Sequence, residues 1–266
     1  MKIHPEELAP DTWIKDNIFK KEVYKFFNKN KTVLDCGCGT GFFTERFGEI
    51  SKLSVGVDIA DSNIKIAKML SKNGKFIKAD IQKLPFKDGK FDIVTAIEVI
   101  DHLNDREKGL EEIRRVLKKG GILIISLTTH PRNIISRFFF YLCGFTAIFF
   151  YDENNPETHK IDYNIKEIKK LIKYLESKKF IILKERKYKG VIPTILIGTF
   201  IFFDGFSRFF TKKEISNIGD NYYRLNSPLI KFYIKFILPI VKILCKITTT
   251  DFDNAGYLII AKLNTK

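Results

Sequence analysis

Nine residues, Val33–Gly41 (VLDCGCGTG), carry the strongest chemical signal in the chain. An apolar run breaks into three glycines spaced G-x-G-x-G, and a helix-period stretch begins at Phe42. Glycines let backbone approach a ligand closely, and the helix N-terminus that follows presents unpaired N–H groups to a carboxylate or a phosphate. The third glycine falls one residue earlier than in the dinucleotide-binding pattern. Alone, such a turn is equally compatible with a plain tight connection; two carboxylates add to it. Asp58 ends the next apolar run, where its side chain can accept hydrogen bonds from both hydroxyls of a ribose. Asp80 ends the third run, where it can receive an adenine amino group.

A second cluster follows the fourth run. Glu98, Asp101 and His102 stand at i, i+3 and i+4, which on a helical turn puts all three on one face. Two acids and a histidine suit a general base for an acceptor group, with His102 and Asp101 as the pair, or a divalent metal held by Glu98, Asp101 and His102. A histidine that only packs and orients its loop is the plainer alternative. His130, after the fifth run, and His159, before a later helix, are further candidates for an acceptor pocket.

The elements that must position these residues alternate. Thr32–Asp35, Leu53–Asp58, Phe76–Asp80, Phe91–Ile97 and Ile122–Leu127 look like buried strands. Helix-period stretches at Phe42–Glu49, Ser62–Asn73 and Arg106–Leu117 lie between them, with Gly74 and Gly120–Gly121 expected as C-terminal caps. Strands alternating with helices at this spacing imply right-handed crossovers and a mostly parallel sheet. A capping-box pair, Asn164 and Glu167, starts a helix with Ile165, Ile168, Leu171, Ile172 and Leu175 on one face. It leads to a strand at Phe180–Lys184, and a last strand is expected at Gly256–Leu263. Residues 1–30 form a helical preface with apolar residues from Trp13 to Phe27.

In this order of motifs the chain resembles the class I S-adenosylmethionine-dependent methyltransferases. The matching stretches are VLDCGCGTG at 33–41, GVDIA at 56–60, ADIQKLPF at 79–86, FDIVTAIEVIDHL at 91–103 and VLKKGGILIIS at 116–126. The resemblance implies an α/β, Rossmann-like, seven-stranded, mostly parallel sheet with helices on both faces. It makes residues 31–189 the cofactor-binding core, 190–255 an apolar and basic insertion, and 256–266 the final strand of the core. It also implies that Asp35, Gly37, Cys38, Gly39 and Gly41 surround the methionine moiety of S-adenosylmethionine. Asp58 then holds the ribose, Asp80 with Ile81 brackets the adenine, and Ile59 and Ile97 are further cofactor-binding residues. The layout is similar to that of quinone-biosynthesis O-methyltransferases, in which an apolar segment after the fifth strand leads to a T-H pair; here Phe138–Tyr151 leads to Thr158–His159.

Charge and apolar bulk point to where such an enzyme would work. Of the net charge of +15, residues 1–130 contribute +4 and residues 131–266 contribute +11, and the second half also holds 16 of the 25 Phe. That combination suits an anionic membrane surface or a nucleic acid better than a small anion. In Leu229–Ile247 (LIKFYIKFILPIVKILCKI), Lys231, Lys235, Lys242 and Lys246 form one stripe on a helical wheel, with Pro239 adding a kink. This is the pattern of an in-plane membrane helix, or of an ordinary surface helix. Phe138–Tyr151 and Val191–Phe203 are uncharged but shorter than the roughly 20 residues a bilayer-crossing helix needs, which suits interfacial segments or part of an apolar lid over the active site. Cys36, Cys38, Cys143 and Cys245 show neither C-x-x-C nor zinc spacing, and MKIHPEELAPDTW lacks the pattern of a signal peptide, so a reducing cytoplasm is expected. The expectation is therefore a membrane-attached methyltransferase for a lipophilic acceptor. An RNA methyltransferase and a catalytically silent cofactor-binding subunit are the alternatives.

Overall fold

The computed structural model describes residues 10–128, 165–188, 232–240, 243 and 256–265. The chain divides into two compact units. One holds residues 22–128, 165–186 and 256–265 and contains nearly all of the sheet; the other holds the remaining described residues.

Seven strands make one sheet: β1 (Thr32–Cys36), β2 (Leu53–Asp58), β3 (Gly74–Lys78), β4 (Phe91–Ile97), β5 (Leu117–Thr128), β6 (Phe180–Tyr188) and β7 (Gly256–Leu263). Their order across the sheet is β3-β2-β1-β4-β5-β7-β6. The pairs β1/β2, β2/β3, β1/β4 and β4/β5 are parallel, and β7 runs antiparallel to β5. With the order reversing at β1, the carboxyl ends of β1, β2 and β4 meet at one edge, the place where open α/β sheets bind ligands. The helices are α1 (Pro10–Glu22), α2 (Phe42–Ile50), α3 (Asp61–Leu70), α4 (Arg106–Val116) and α5 (Ile165–Ser177).

The period-2 pattern of the strands separates the two sheet faces. Leu34 and Cys36, Val55 and Val57, Val94 and Ala96, and Leu123 and Ile125 pack with α4 and α5 through Leu110, Ile113, Val116, Ile168, Leu171 and Leu175. Cys38, Ile64, Ala67 and Phe76 cluster separately, against α3. Buried on both faces, the central strands are apolar almost without interruption, as parallel strands must be.

Two local expectations fail for one reason. Gly74 is the first residue of β3 rather than a cap of α3, which ends at Leu70 with an extended Ser71. A Cβ on Gly74 would stand 2.7 Å from the Phe76 ring, so the glycine answers a packing need. Gly120 and Gly121 likewise lie inside β5, which begins at Leu117, and Gly120 has φ +75 where the register against β4 shifts. The cap of α4 is at its other end, where the Asp105 side chain accepts from the Lys108 N–H at 3.0 Å. β6 also runs four residues beyond the expected Lys184, to Tyr188. Asn164, Phe138–Tyr151, Val191–Phe203 and most of Leu229–Ile247 lie outside the described residues. Within the last segment, Tyr233–Ile237 widen into a π-helical turn. Pro239 lies just beyond it; lacking an N–H, it cannot make the regular bond back to residue 235.

Candidate active site

The glycine loop leaves β1 at Gly37 and is pinned to its neighbour. The N–H groups of Gly37 and Cys38 both donate to the Val57 carbonyl, at 2.8 and 2.9 Å. Gly37 has φ +69, and a Cβ there would come within 2.4 Å of a Val99 methyl. Gly41, at φ +92, ends the loop as the N-cap of α2, and a Cβ on it would press on the Phe76 ring at 2.7 Å. Only glycine meets both demands, a left-handed backbone and no side chain. The first turn of α2 then has N–H groups without helical acceptors.

Asp58, at the end of β2, organises the rim. Its Oδ2 accepts from the Gly39 N–H at 3.0 Å, and its Oδ1 from the Ala60 N–H at 2.8 Å and from Asn63 Nδ2 at 3.3 Å. A carboxylate has about four acceptor positions, so one on Oδ2 remains for a ligand hydroxyl. Ile59 is 65% exposed beside it, a large apolar side chain at the ligand edge.

Asp35 sits deeper. It is 2% exposed, and its two oxygens accept from the hydroxyls of Thr44 at 2.6 Å and Thr95 at 2.7 Å. It therefore ties the end of β1 to α2 and β4, holding the loop from beneath. Cys38 is buried against α3, and Ile81 is packed in the main core, so neither presents much side chain to the edge. Asp80 caps the short turn Ile81–Lys83, its Oδ1 accepting from the Gln82 N–H at 2.8 Å. Ile97, half-buried, is the last residue of β4.

The acid–acid–His cluster is rearranged. Glu98 has φ +52 and donates its N–H to the Ser126 carbonyl at 2.8 Å, so it belongs to the bend after β4 and not to a helix. The next turn, Ile100–His102, is 3-10, in which neighbours point about 120° apart. Asp101 is consequently 3% exposed while His102 is exposed, and the shared face expected from the spacing does not form. Burial pushes the Asp101 carboxyl above the usual range, with the His102 charge opposing that rise, and among the described residues Oδ1 of Asp101 has no hydrogen-bond partner. Among the described residues no group of three His, Cys, Asp or Glu comes together to hold a metal ion, Glu98, Asp101 and His102 included. His130 and His159 lie outside the described residues.

Residues that the sequence reading passed over complete the site: Thr44 and Thr95 on Asp35, Asn63 on Asp58, and Val99 over Gly37. Asn63 had a legible signal, a short polar side chain in the first turn after Asp58. The others depend on tertiary neighbours. A ligand with a ribose, a purine and an amino-acid carboxylate meets here an acceptor, an exposed apolar side chain and backbone donors, and S-adenosylmethionine has those three parts.

Comparison with known proteins agrees. Residues 34–125 match the family described as methyltransferase domain. The chain is 34% identical over 121 residues to the ubiquinone biosynthesis O-methyltransferase of Pelagibacter ubique, covering 43% of this chain and 50% of that protein. It is 37% identical over 110 residues to a ubiquinone/menaquinone biosynthesis C-methyltransferase of Ectopseudomonas mendocina, covering 38% of this chain and 43% of that one. The chain thus spans about half the length of the curated relatives it matches. Among solved structures, a SAM-dependent methyltransferase from Methanosarcina mazei superposes with a TM-score of 0.53 over 92% of this chain and 97% of its own, at 19% identity, a likeness of fold.

Proposed function

We propose that the chain, whose residues 34–125 match a methyltransferase domain, is a class I S-adenosylmethionine-dependent methyltransferase that methylates a lipophilic small molecule at a membrane surface. The observation that carries the transfer is the Asp58 rim, which joins Gly39 and Ala60 around a carboxylate with one acceptor position still open. When bound, S-adenosylmethionine supplies an electrophilic methyl carbon on a sulfonium centre.

The chain's residues hold and exclude. Gly37, Gly39, Gly41 and the first N–H groups of α2 take the methionine carboxylate. Asp58 takes the ribose, Asp80 the adenine amino group, and Ile59 covers an adenine face. Holding the acceptor atom in line with the methyl carbon removes much of the entropic barrier, worth about 7–11 kcal/mol in well-oriented systems. Where the acceptor is a hydroxyl, exposed His102 takes its proton, and Asp101 beside it stabilises the resulting imidazolium.

The lipophilic acceptor has two supports. The relatives above are named for ubiquinone and menaquinone biosynthesis. Phe232, Phe236, Ile240 and Ile243 are exposed, and Lys235 stands among them. No described helix is long and apolar enough to cross a membrane; the attachment proposed is peripheral, through this exposed stripe.

The test is transfer of labelled methyl from S-adenosylmethionine into a membrane lipid extract and, in parallel, into total RNA. Label in lipid is expected, together with at least tenfold weaker cofactor binding by Asp58→Ala in calorimetry. Label in RNA alone would replace the acceptor class. Intact cofactor binding with no label in either would make the chain a silent binding subunit.

A further inference from the structure

At the opposite end of the sheet from the glycine loop lies a cavity of about 520 Å³ that the methyl-transfer reading does not use. It is lined by Lys25, Lys31, Lys118, Lys119 and Lys262, with Asp92 the one acidic residue among the described residues of its walls. The strands bring these residues together. Lys31 precedes β1, Asp92 opens β4, Lys118 and Lys119 open β5, and Lys262 pairs with Ile122 across the antiparallel β5/β7 ladder. From Ile122 to the other end of β5 at Thr128 is about 20 Å, so the cavity is remote from the cofactor rim. Its volume is within the usual range of small-ligand sites, about 300–1,000 Å³.

Asp92 does not neutralise this set. Its carboxylate accepts from the Thr32 N–H and hydroxyl, both at 2.9 Å, and pairs with Lys118 at 2.9 Å and Lys31 at 3.8 Å. Burial acts to raise its pKa, but the Thr32 and Lys118 bonds outweigh that and hold it low, so its single charge is shared between two lysines. Lys25 reaches only the edge of Glu22, at 4.0 Å, and Glu22 is already bonded to Lys184 and Arg186. Among the described residues Lys119 and Lys262 have no carboxylate partner, and the Lys262 arm lies beside Gly120. Phe26, Ile122 and Leu183 form apolar wall, and Leu183 is exposed.

We propose that this cavity is a second binding site, for a phosphate-bearing ligand with an apolar portion. The phosphate sits among Lys25, Lys119 and Lys262, and the apolar part lies against Phe26 and Leu183. Ammonium groups that converge on a concave surface bind phosphate as point charges, and the low-dielectric wall strengthens the attraction. The phosphate belongs either to a membrane lipid or to a soluble phosphorylated compound.

The experiment titrates inorganic pyrophosphate into the full chain by calorimetry, using wild type, Lys119→Glu/Lys262→Glu, and a charge-matched control, Lys68→Glu/Lys72→Glu, on exposed positions elsewhere. Pyrophosphate is expected to bind wild type and control alike, and at least tenfold more weakly to the first variant. Its thermal midpoint and its S-adenosylmethionine affinity should match those of wild type. Binding to vesicles of phosphatidylcholine with phosphatidic acid, displaced by pyrophosphate, assigns the site to a lipid phosphate; pyrophosphate binding without such recruitment assigns it to a soluble compound. No pyrophosphate binding by wild type, or equal weakening in both variants, overturns the site.

Discussion

Asp101 is the residue in which burial and chemistry meet. Its carboxyl lies almost wholly inside, Oδ1 lacks a hydrogen-bond partner among the described residues, and burial raises its pKa in the folded state. The sign of the linkage follows. A raised folded pKa means that the folded state binds the extra proton more tightly, so the stabilisation is fully present below the unfolded value of about 3.9 and is lost as pH rises through the folded value. Asp101→Asn removes that loss. At neutral pH the variant should therefore be as stable as wild type or more so in urea unfolding, and the difference should shrink on acidification toward pH 4. Turnover on a hydroxyl acceptor should nevertheless fall by about 10-fold or more, because His102 would no longer have a carboxylate to stabilise its charged form. A variant that loses stability at neutral pH would show that the carboxylate has a partner that stabilises it. Asp35 is the contrasting case: equally buried, but with both oxygens satisfied by Thr44 and Thr95, it is a structural clamp under the glycine loop.

At the scale of elements, Arg115 near the end of α4 fixes the loop that follows the Asp80 turn. Its guanidinium donates to the carbonyls of Phe86 at 2.7 Å and Leu84 at 3.0 Å and to Asp88 at 2.8 Å, and it forks onto both oxygens of Glu112 at 2.7 and 2.8 Å. Glu112 in turn accepts from the Leu84 N–H at 2.7 Å. A lysine cannot span that fan of acceptors. Because the side chain is 31% exposed, part of the gain is screened, and Arg115→Lys should cost about 1–2 kcal/mol in urea unfolding. A loss within error would mean that water replaces the missing bonds. The elements themselves were largely legible: β2, β4 and β7 begin and end where their apolar runs do, and the five motifs fell in the order that the sheet realises. What was not legible has a common cause. Glycine serves a helix cap, a strand packed under an aromatic ring and a shifted register equally well, so Gly74, Gly120 and Gly121 could not be assigned without their neighbours. The i, i+3, i+4 spacing of Glu98, Asp101 and His102 implies one face only if the turn is an α-helix. The left-handed Glu98 and the 3-10 turn after it are imposed by the junction with β5, which the local sequence does not encode.

For the molecule as a whole, the decisive asymmetry is the +11 carried by residues 131–266 against +4 in residues 1–130. The described part of that half exposes Phe232, Phe236, Ile240 and Ile243, which on an α-helical wheel drawn from the sequence fall within about 80° of one another. Lys235 is exposed at the margin of this stripe, its Nζ 5.2 Å from the Phe236 ring, and Lys231, Lys242 and Lys246 follow the same margin in the sequence. On the proposed membrane attachment, such a stripe would lie in the plane of an anionic bilayer, the rings below the headgroups and the ammonium groups among them. The two contributions separate experimentally. Replacing Lys231, Lys235, Lys242 and Lys246 by Gln removes about 1 kcal/mol each near an anionic surface, so what binding remains should no longer depend on salt or lipid charge. Phe232→Ser with Phe236→Ser removes apolar burial instead, at about 25 cal/mol per Å², and should weaken attachment to neutral and anionic vesicles alike, by at least tenfold. Cofactor affinity should be unchanged in both, since none of these residues belongs to the Asp58 rim. Co-sedimentation with neutral and anionic vesicles reads all of this. Wild-type protein that stays in the supernatant with both lipids would make the stripe a solvated or protein-covered helix face and remove the membrane from the proposed function.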